Sequence, residues 1–282
     1  MNIIEAIILG IIQGLTEFLP ISSTGHLTAA GKLMNLISAD KPEEWTAFIA
    51  VIQLGTLLAV LIYFRNDLVG IVKDFIGENI LHRKSFSEQN MNSKMGWYLV
   101  IATLPVVIIG LSFKDIIEGV LTKNLYVISI SLIVLALILA YAEKIGKFNR
   151  KSENIKWYDS LIIGIAQSFA LIPGSSRSGT TITAALFLGF NRETAARFSF
   201  LMSIPAVLAS GLLQFYQSLE FIDYNGAVNL IAATVASAIV GYLSIEFLLR
   251  YLRKHSMMFF VVYRIVIGII ILSLILSGFI QA

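Results

Sequence analysis

Two short polar runs interrupt an otherwise apolar chain, and their residue types point to chemistry on an oxyanion. The second run, Pro173-Gly174-Ser175-Ser176-Arg177-Ser178-Gly179-Thr180-Thr181, sets hydroxyls and glycines around one arginine, between the apolar stretches 161–172 and 182–190. A fixed cation with hydroxyl and backbone donors is what a phosphate requires. An arginine at membrane depth costs roughly 2.5–3.5 kcal/mol on insertion scales, which makes the run a functional candidate. Arg177 offers a planar fork of donors that stays charged when partly desolvated. Ser176, Ser178 and Thr181 supply further donors, and Gly174 and Gly179 permit close backbone approach and φ > 0.

The first run carries Gln13, Glu17, Ser22, Ser23, Thr24 and His26. Gln13 and Glu17 stand four residues apart, on one helix face. Glu17 is a carboxylate that can activate a hydroxyl or a water, and His26 an imidazole suited to proton transfer near neutral pH. Structural readings stand beside these: a neutral or capping Glu17, an Arg177 tied to loop carbonyls, a His26 satisfied within a turn. Clamp, hydroxyls, carboxylate and imidazole together form a sufficient set for phosphoryl transfer, where positioning and charge stabilisation dominate. Gln53 and Gln167 line the site or bond between helices. Arg264 and Arg197 lie where they can snorkel to a membrane boundary, and His82 and His255 are read as solvated. No His/Asp/Glu spacing specifies zinc.

The elements that must position these runs belong to a membrane protein. The 282 residues are 57% hydrophobic and 14% charged, with mean hydropathy +0.81, whereas soluble domains are about 25% charged. There is no cysteine, which excludes disulfides, thiolate metal sites and a cysteine nucleophile. The start lacks a basic n-region and a cleavage site and reads as mature protein, not as a signal peptide. Six stretches, approximately 46–64, 96–112, 124–142, 195–216, 227–249 and 258–280, can cross about 30 Å of hydrocarbon. Residues 3–19 and 159–190 instead break at the two polar runs, leaving arms too short for a span. Such breaks are tolerated where they are buried in protein or line a water-filled cavity. The expected architecture is therefore all-α and polytopic: six spanning helices plus two re-entrant helix hairpins in one membrane domain, 1–282.

Charge placement orients this layout. One side receives Arg65, Lys73, Arg83, Lys84, Lys94, Lys144, Lys147, Arg150, Lys151, Lys156, Arg192, Arg250, Arg253 and Lys254; the other only Lys32, Lys41, Lys114 and Lys123. By the positive-inside rule the first side is cytoplasmic and both termini face out. The broken regions also echo each other at an offset of 154: Gly10 with Gly164, Gln13 with Gln167, Ser22 with Ser176, Thr24 with Ser178, Gly25 with Gly179. Ala102-Thr103 and Gly110 echo Ala233-Thr234 and Gly241. An inverted-topology internal repeat is expected, about 1–145 and 156–282, with the hairpin tips meeting near the midplane.

The run from Gln13 to His26 resembles the first signature of the undecaprenyl-diphosphate phosphatase (bacitracin-resistance) family, and Pro173 to Thr181 resembles its second. The resemblance extends over the whole chain in length and motif position. It implies a membrane hydrolase that removes the terminal phosphate of undecaprenyl diphosphate, regenerating the lipid carrier for cell-wall synthesis and conferring bacitracin resistance. It further implies a bacterial cytoplasmic membrane, a site reached from the outer face and a divalent cation, Mg or Ca, with Glu17 the one candidate ligand. Gln13 stands where the family often has glutamate. The expected partners are the polyprenyl diphosphate and membrane lipids, without nucleic acid; a homodimer is left open. On this reading Glu17, Ser23, His26 and Arg177 are catalytic, and Gln13, Ser22, Thr24, Gly174, Ser176, Ser178 and Thr181 bind substrate. Ser23 attacks with Glu17 as base, and His26 protonates the leaving group or activates water. Ser22, His26 or water remain open as the nucleophile. A polyprenyl-phosphate flippase using the same site is the rival function.

Overall fold

The computed structural model describes residues 1–37, 42–113, 124–218 and 224–281. Lys41, Lys114 and Lys123 lie outside them. Among the described residues the structure is all-helical, without a β-strand. Six helices are long and apolar enough to cross a membrane: α3 (Pro42–Tyr63), α5 (Met91–Ser112), α6 (Leu125–Ile145), α9 (Arg192–Ser218), α10 (Tyr224–Leu252) and α11 (Met258–Leu276). They coincide with the six expected stretches. The four remaining long segments are shorter: α1 (Ile3–Phe18), α2 (Ser23–Leu33), α7 (Trp157–Ser168) and α8 (Arg177–Phe187). At 1.5 Å per residue they extend only about 17–24 Å. An unexpected helix, α4 (Arg65–Ile76), lies within what the sequence presents as a polar loop.

Both breaks form for the same local reason. Proline forces the residue before it into extended backbone, and Leu19 and Ile172 adopt ψ of 140° and 124°. Ser22 and Ser176 then take φ of 74° and 68°, rare for a residue with a side chain. Each serine hydroxyl caps the next helix, accepting from the backbone N–H of Gly25 or Gly179. Such backbone costs about 1–3 kcal/mol and persists only where surrounding contacts over-determine it. Arg150 bridges the two ends of the second broken segment. Its guanidinium donates to Asp159 near the start of α7 and to the Leu188 carbonyl at the end of α8.

Packing around the breaks reads the same from both ends: α1 lies on α10, α10 on α3, α3 on α9, α9 on α5 and α5 on α7. The first arms are held closely through glycine. A methyl group on Gly10 would run into the Ala233 carbonyl of α10, and one on Gly164 into the Ala102 carbonyl of α5. Both obstacles are backbone and cannot rotate away. Gly10→Ala and Gly164→Ala should each destabilise the fold by about 1–3 kcal/mol. Thermal midpoints in detergent micelles several degrees lower check this; unchanged midpoints would contradict the close fit. The α6–α11 pair flanks the breaks, with α2 and α8 both packed on α6.

Candidate active site

The two breaks meet. Glu17, in the last turn of α1, is the junction, and both carboxylate oxygens are engaged. Oε1 accepts from Arg177 at 2.9 Å. Oε2 accepts from Gln13 Nε2 at 2.9 Å and from Ser23 Oγ at 2.8 Å. The group is 7% exposed. In surroundings of low dielectric an ion pair of this kind is screened little by salt. Ser178 Oγ adds a second link between the breaks, donating to the Leu19 carbonyl at 3.0 Å.

Ser22 and Ser23 have different duties. The Ser22 hydroxyl is committed to its cap, whereas Ser23, the first residue of α2, directs its proton to Glu17. His26, one turn further on, is bonded at both nitrogens: Nδ1 to the Ser22 carbonyl at 2.7 Å and Nε2 to the Tyr263 hydroxyl at 2.8 Å. The His26 and Tyr263 rings lie nearly parallel, 5.6 Å apart. Thr24 is half-buried and its hydroxyl makes no hydrogen bond among the described residues.

The second run is held differently from what its composition leads one to expect. Ser176 caps α8, Ser178 reaches Leu19, and the Thr181 hydroxyl pairs with Ser199 Oγ at 2.6 Å. These hydroxyls secure the break itself, whereas Arg177 reaches Glu17. Gly174 has φ of +85°, but the space beside it is filled by Ser131 and Ile128 of α6. Gly179 faces the Arg264 guanidinium. Both glycines thus accommodate protein at the positions where close approach of a ligand is expected.

Arg264 does not snorkel. It is completely buried in the middle of α11. Its guanidinium donates to the carbonyls of Leu132 (3.2 Å), Pro20 (3.2 Å), Gly174 (3.4 Å) and Ser175 (3.0 Å), tying one break to the other. The extended, proline-broken backbone frees carbonyls that no helix satisfies, and the five-donor fork is the side chain best suited to gather them. Arg197 instead pairs with Asp67 at 2.8 Å over the ring of Phe64. Gln53 is half-buried, while Gln167 is buried with both amide atoms unpartnered among the described residues. His82 and His255 are exposed, as expected. Tyr263, Ser199 and Thr56, whose hydroxyl accepts from Gln13 Nε2 at 3.5 Å, escape the sequence reading. An ionisable residue in a spanning stretch was the available signal for Arg264, and its neighbour Tyr263 had none.

Six membrane-crossing helices around two broken arms, with a buried carboxylate–guanidinium centre at their meeting point, define a multi-pass membrane protein with a charged internal site. Residues 6–270 match the family described as bacitracin resistance protein BacA. The chain is 58% identical, over 95% of both chains, to the undecaprenyl-diphosphatase of Syntrophobacter fumaroxidans. It is 49% identical to that of Chloroherpeton thalassium over 100% of both chains, and 50% identical to that of Chlorobium chlorochromatii, also over 100% of both. The chain belongs to the BacA family.

Proposed function

We infer that this protein is a membrane hydrolase that removes the terminal phosphate of undecaprenyl diphosphate, giving undecaprenyl phosphate and inorganic phosphate. The reaction recycles the lipid carrier for cell-wall synthesis and underlies bacitracin resistance. The observation that carries the reading is the single carboxylate shared by Ser23 and Arg177. It joins a nucleophile, its base and an anion clamp within direct hydrogen-bond reach. The names of the relatives support the hydrolase over the flippase, which no observation favours.

In this reading an arriving diphosphate draws Arg177 away from Glu17. Ser23 Oγ attacks the terminal phosphorus as Glu17 Oε2 takes its proton, and the bond to the bridging oxygen breaks with its electron pair on the lipid phosphate. Arg177 holds the equatorial charge. Water then releases phosphate from Ser23, whose Oγ takes back the proton held by Glu17, while the proton lost by the water ends on His26. Ser23 is favoured over Ser22 because only its hydroxyl is directed at the base. Two oxygens fit a divalent cation. Gln13 Oε1 is buried and unpartnered among the described residues, its orientation set by the Nε2 donor to Glu17, and the Glu17 carboxylate lies beside it. No group of three acidic or histidine residues gathers among the described residues; an ion held by these two oxygens would complete its shell with water and substrate phosphates. Such an ion would neutralise charge on the phosphates.

The hairpins are re-entrant in this reading, and the halves are inverted repeats with a site open to the outer face of the bacterial cytoplasmic membrane. The matching backbone at Ser22 and Ser176, the paired glycine contacts and the Arg150 link between the two ends of its hairpin support this. Purified protein in micelles should release inorganic phosphate from undecaprenyl diphosphate. Arg177→Lys keeps the charge and loses the fork, and should cut turnover by about 100-fold or more. Binding without phosphate release would refute the hydrolase, and near-normal turnover in the lysine variant would refute the clamp.

A further inference from the structure

We propose that Tyr263 relays protons between His26 and the reacting phosphoryl group; the proposal rests on the hydrolase reading above. The Ser22 carbonyl can only accept, so the Nδ1 that faces it at 2.7 Å carries the ring proton. Nε2 is therefore the lone pair of the neutral imidazole, and the Tyr263 hydroxyl at 2.8 Å donates to it. His26 has no nitrogen left to face a phosphate or a water. Its exchangeable proton position lies behind the phenolic oxygen, which has lone-pair capacity to spare.

That arrangement is a two-proton relay. As water attacks phosphorus, the new O–P bond forms and the water proton passes to the Tyr263 oxygen. The original phenolic proton moves to His26 Nε2, and the bond from phosphorus to Ser23 Oγ breaks with its electron pair on Oγ, which takes back the proton held by Glu17. His26 becomes an imidazolium, donating from Nδ1 to the Ser22 carbonyl and from Nε2 to Tyr263. Reversal along the same line delivers the proton to the released phosphate and restores the resting state. The Ser22 carbonyl steadies the cation. The positive φ of Ser22 belongs to the turn that leads the chain into α2, which carries His26. Tyr263 adjoins Arg264, whose bonds to the Pro20, Gly174 and Ser175 carbonyls fix this part of α11 against both breaks.

The test uses full-length protein in micelles with farnesyl diphosphate as the probe. Tyr263→Phe keeps the ring and removes the relay; kcat should fall about 100-fold with KM within about twofold. Added to His26→Ala, the same change should cost less than about twofold further, because the two act as one unit. Turnover plotted against deuterium fraction should curve in the parent protein and be linear in Tyr263→Phe. Tyr263→Gln supplies a donor that can hold the imidazole but cannot pass a proton, and should stay impaired. Parent-like kcat in Tyr263→Phe, additive losses, or recovery in Tyr263→Gln would each overturn the relay. A parent protein that releases no phosphate would instead indict the hydrolase reading.

Discussion

Glu17→Gln should abolish most turnover, by on the order of 10³-fold, without weakening apparent substrate affinity. The amide preserves shape but can neither accept the Ser23 proton nor hold Arg177 as an ion pair. General-base loss accounts for about 10²–10⁴-fold. In the parent, the guanidinium engages Glu17 Oε1 at 2.9 Å, so an incoming phosphate competes with the enzyme's own carboxylate. Removing that competitor frees Arg177 for the ligand, and KM should stay level or fall. This is the signature of an interaction needed for the chemical step and opposed to binding in the ground state. Steady-state kinetics of phosphate release distinguish the outcomes. A raised KM at unchanged kcat would mean that Glu17 serves binding alone. Recovery of activity at high divalent-cation concentration would reassign it as chiefly a cation ligand.

Arg264→Met should lower stability by about 3 kcal/mol and remove activity although residue 264 carries no reacting group. Two effects oppose each other. Burying an arginine at membrane depth costs roughly 2.5–3.5 kcal/mol, and methionine relieves that cost. Against this, four carbonyls lose their donor, at about 1–3 kcal/mol for each that finds no substitute. The second effect wins because Pro20, Gly174 and Ser175 sit in breaks whose carbonyls lie outside any helix ladder. A loss of this size corresponds to a thermal midpoint lowered by roughly 6 °C or more. Arg264→Lys should fall between, because one ammonium cannot span four acceptors. An unchanged melting curve in Arg264→Met would show that the breaks hold their shape without the guanidinium.

Much of this molecule is legible in its residues. Hydropathy marks the six long helices within a few positions, because length and apolarity alone decide which segments can span. Pro20 and Pro173 announce the breaks, since their effect on the preceding residue is local. Gln13, Glu17 and Ser23 also declare themselves, through a four-residue spacing and a clustering of reactive types. What stays hidden depends on tertiary geometry. Nothing in Ser176, Ser178 and Thr181 tells whether their hydroxyls face a ligand or the protein, and here they bond within the fold. Arg264 resembles any arginine in a long helix until the carbonyls around it are placed. Tyr263 has no signal in one dimension, because its partner His26 is distant in the chain. Helix α4 escapes because an amphipathic segment among charged residues has the composition of a loop.

The crossed packing of the arms has a bearing on how the molecule is made. The broken segment α1–α2 is synthesised first, yet the surface that receives it, α10 with Ala233, is among the last segments to emerge. The segment α7–α8 finds its support on α5 already in place. The first segment must therefore wait, its Glu17 and Gln13 without the arginine and the neighbouring helix that later enclose them. A chain halted before α10 carries Glu17, Ser23, His26 and Arg177 but lacks Tyr263 and the surface on which α1 packs. Chemistry on the lipid substrate begins only when biogenesis is nearly finished, so unfinished chains are inert bystanders in the membrane.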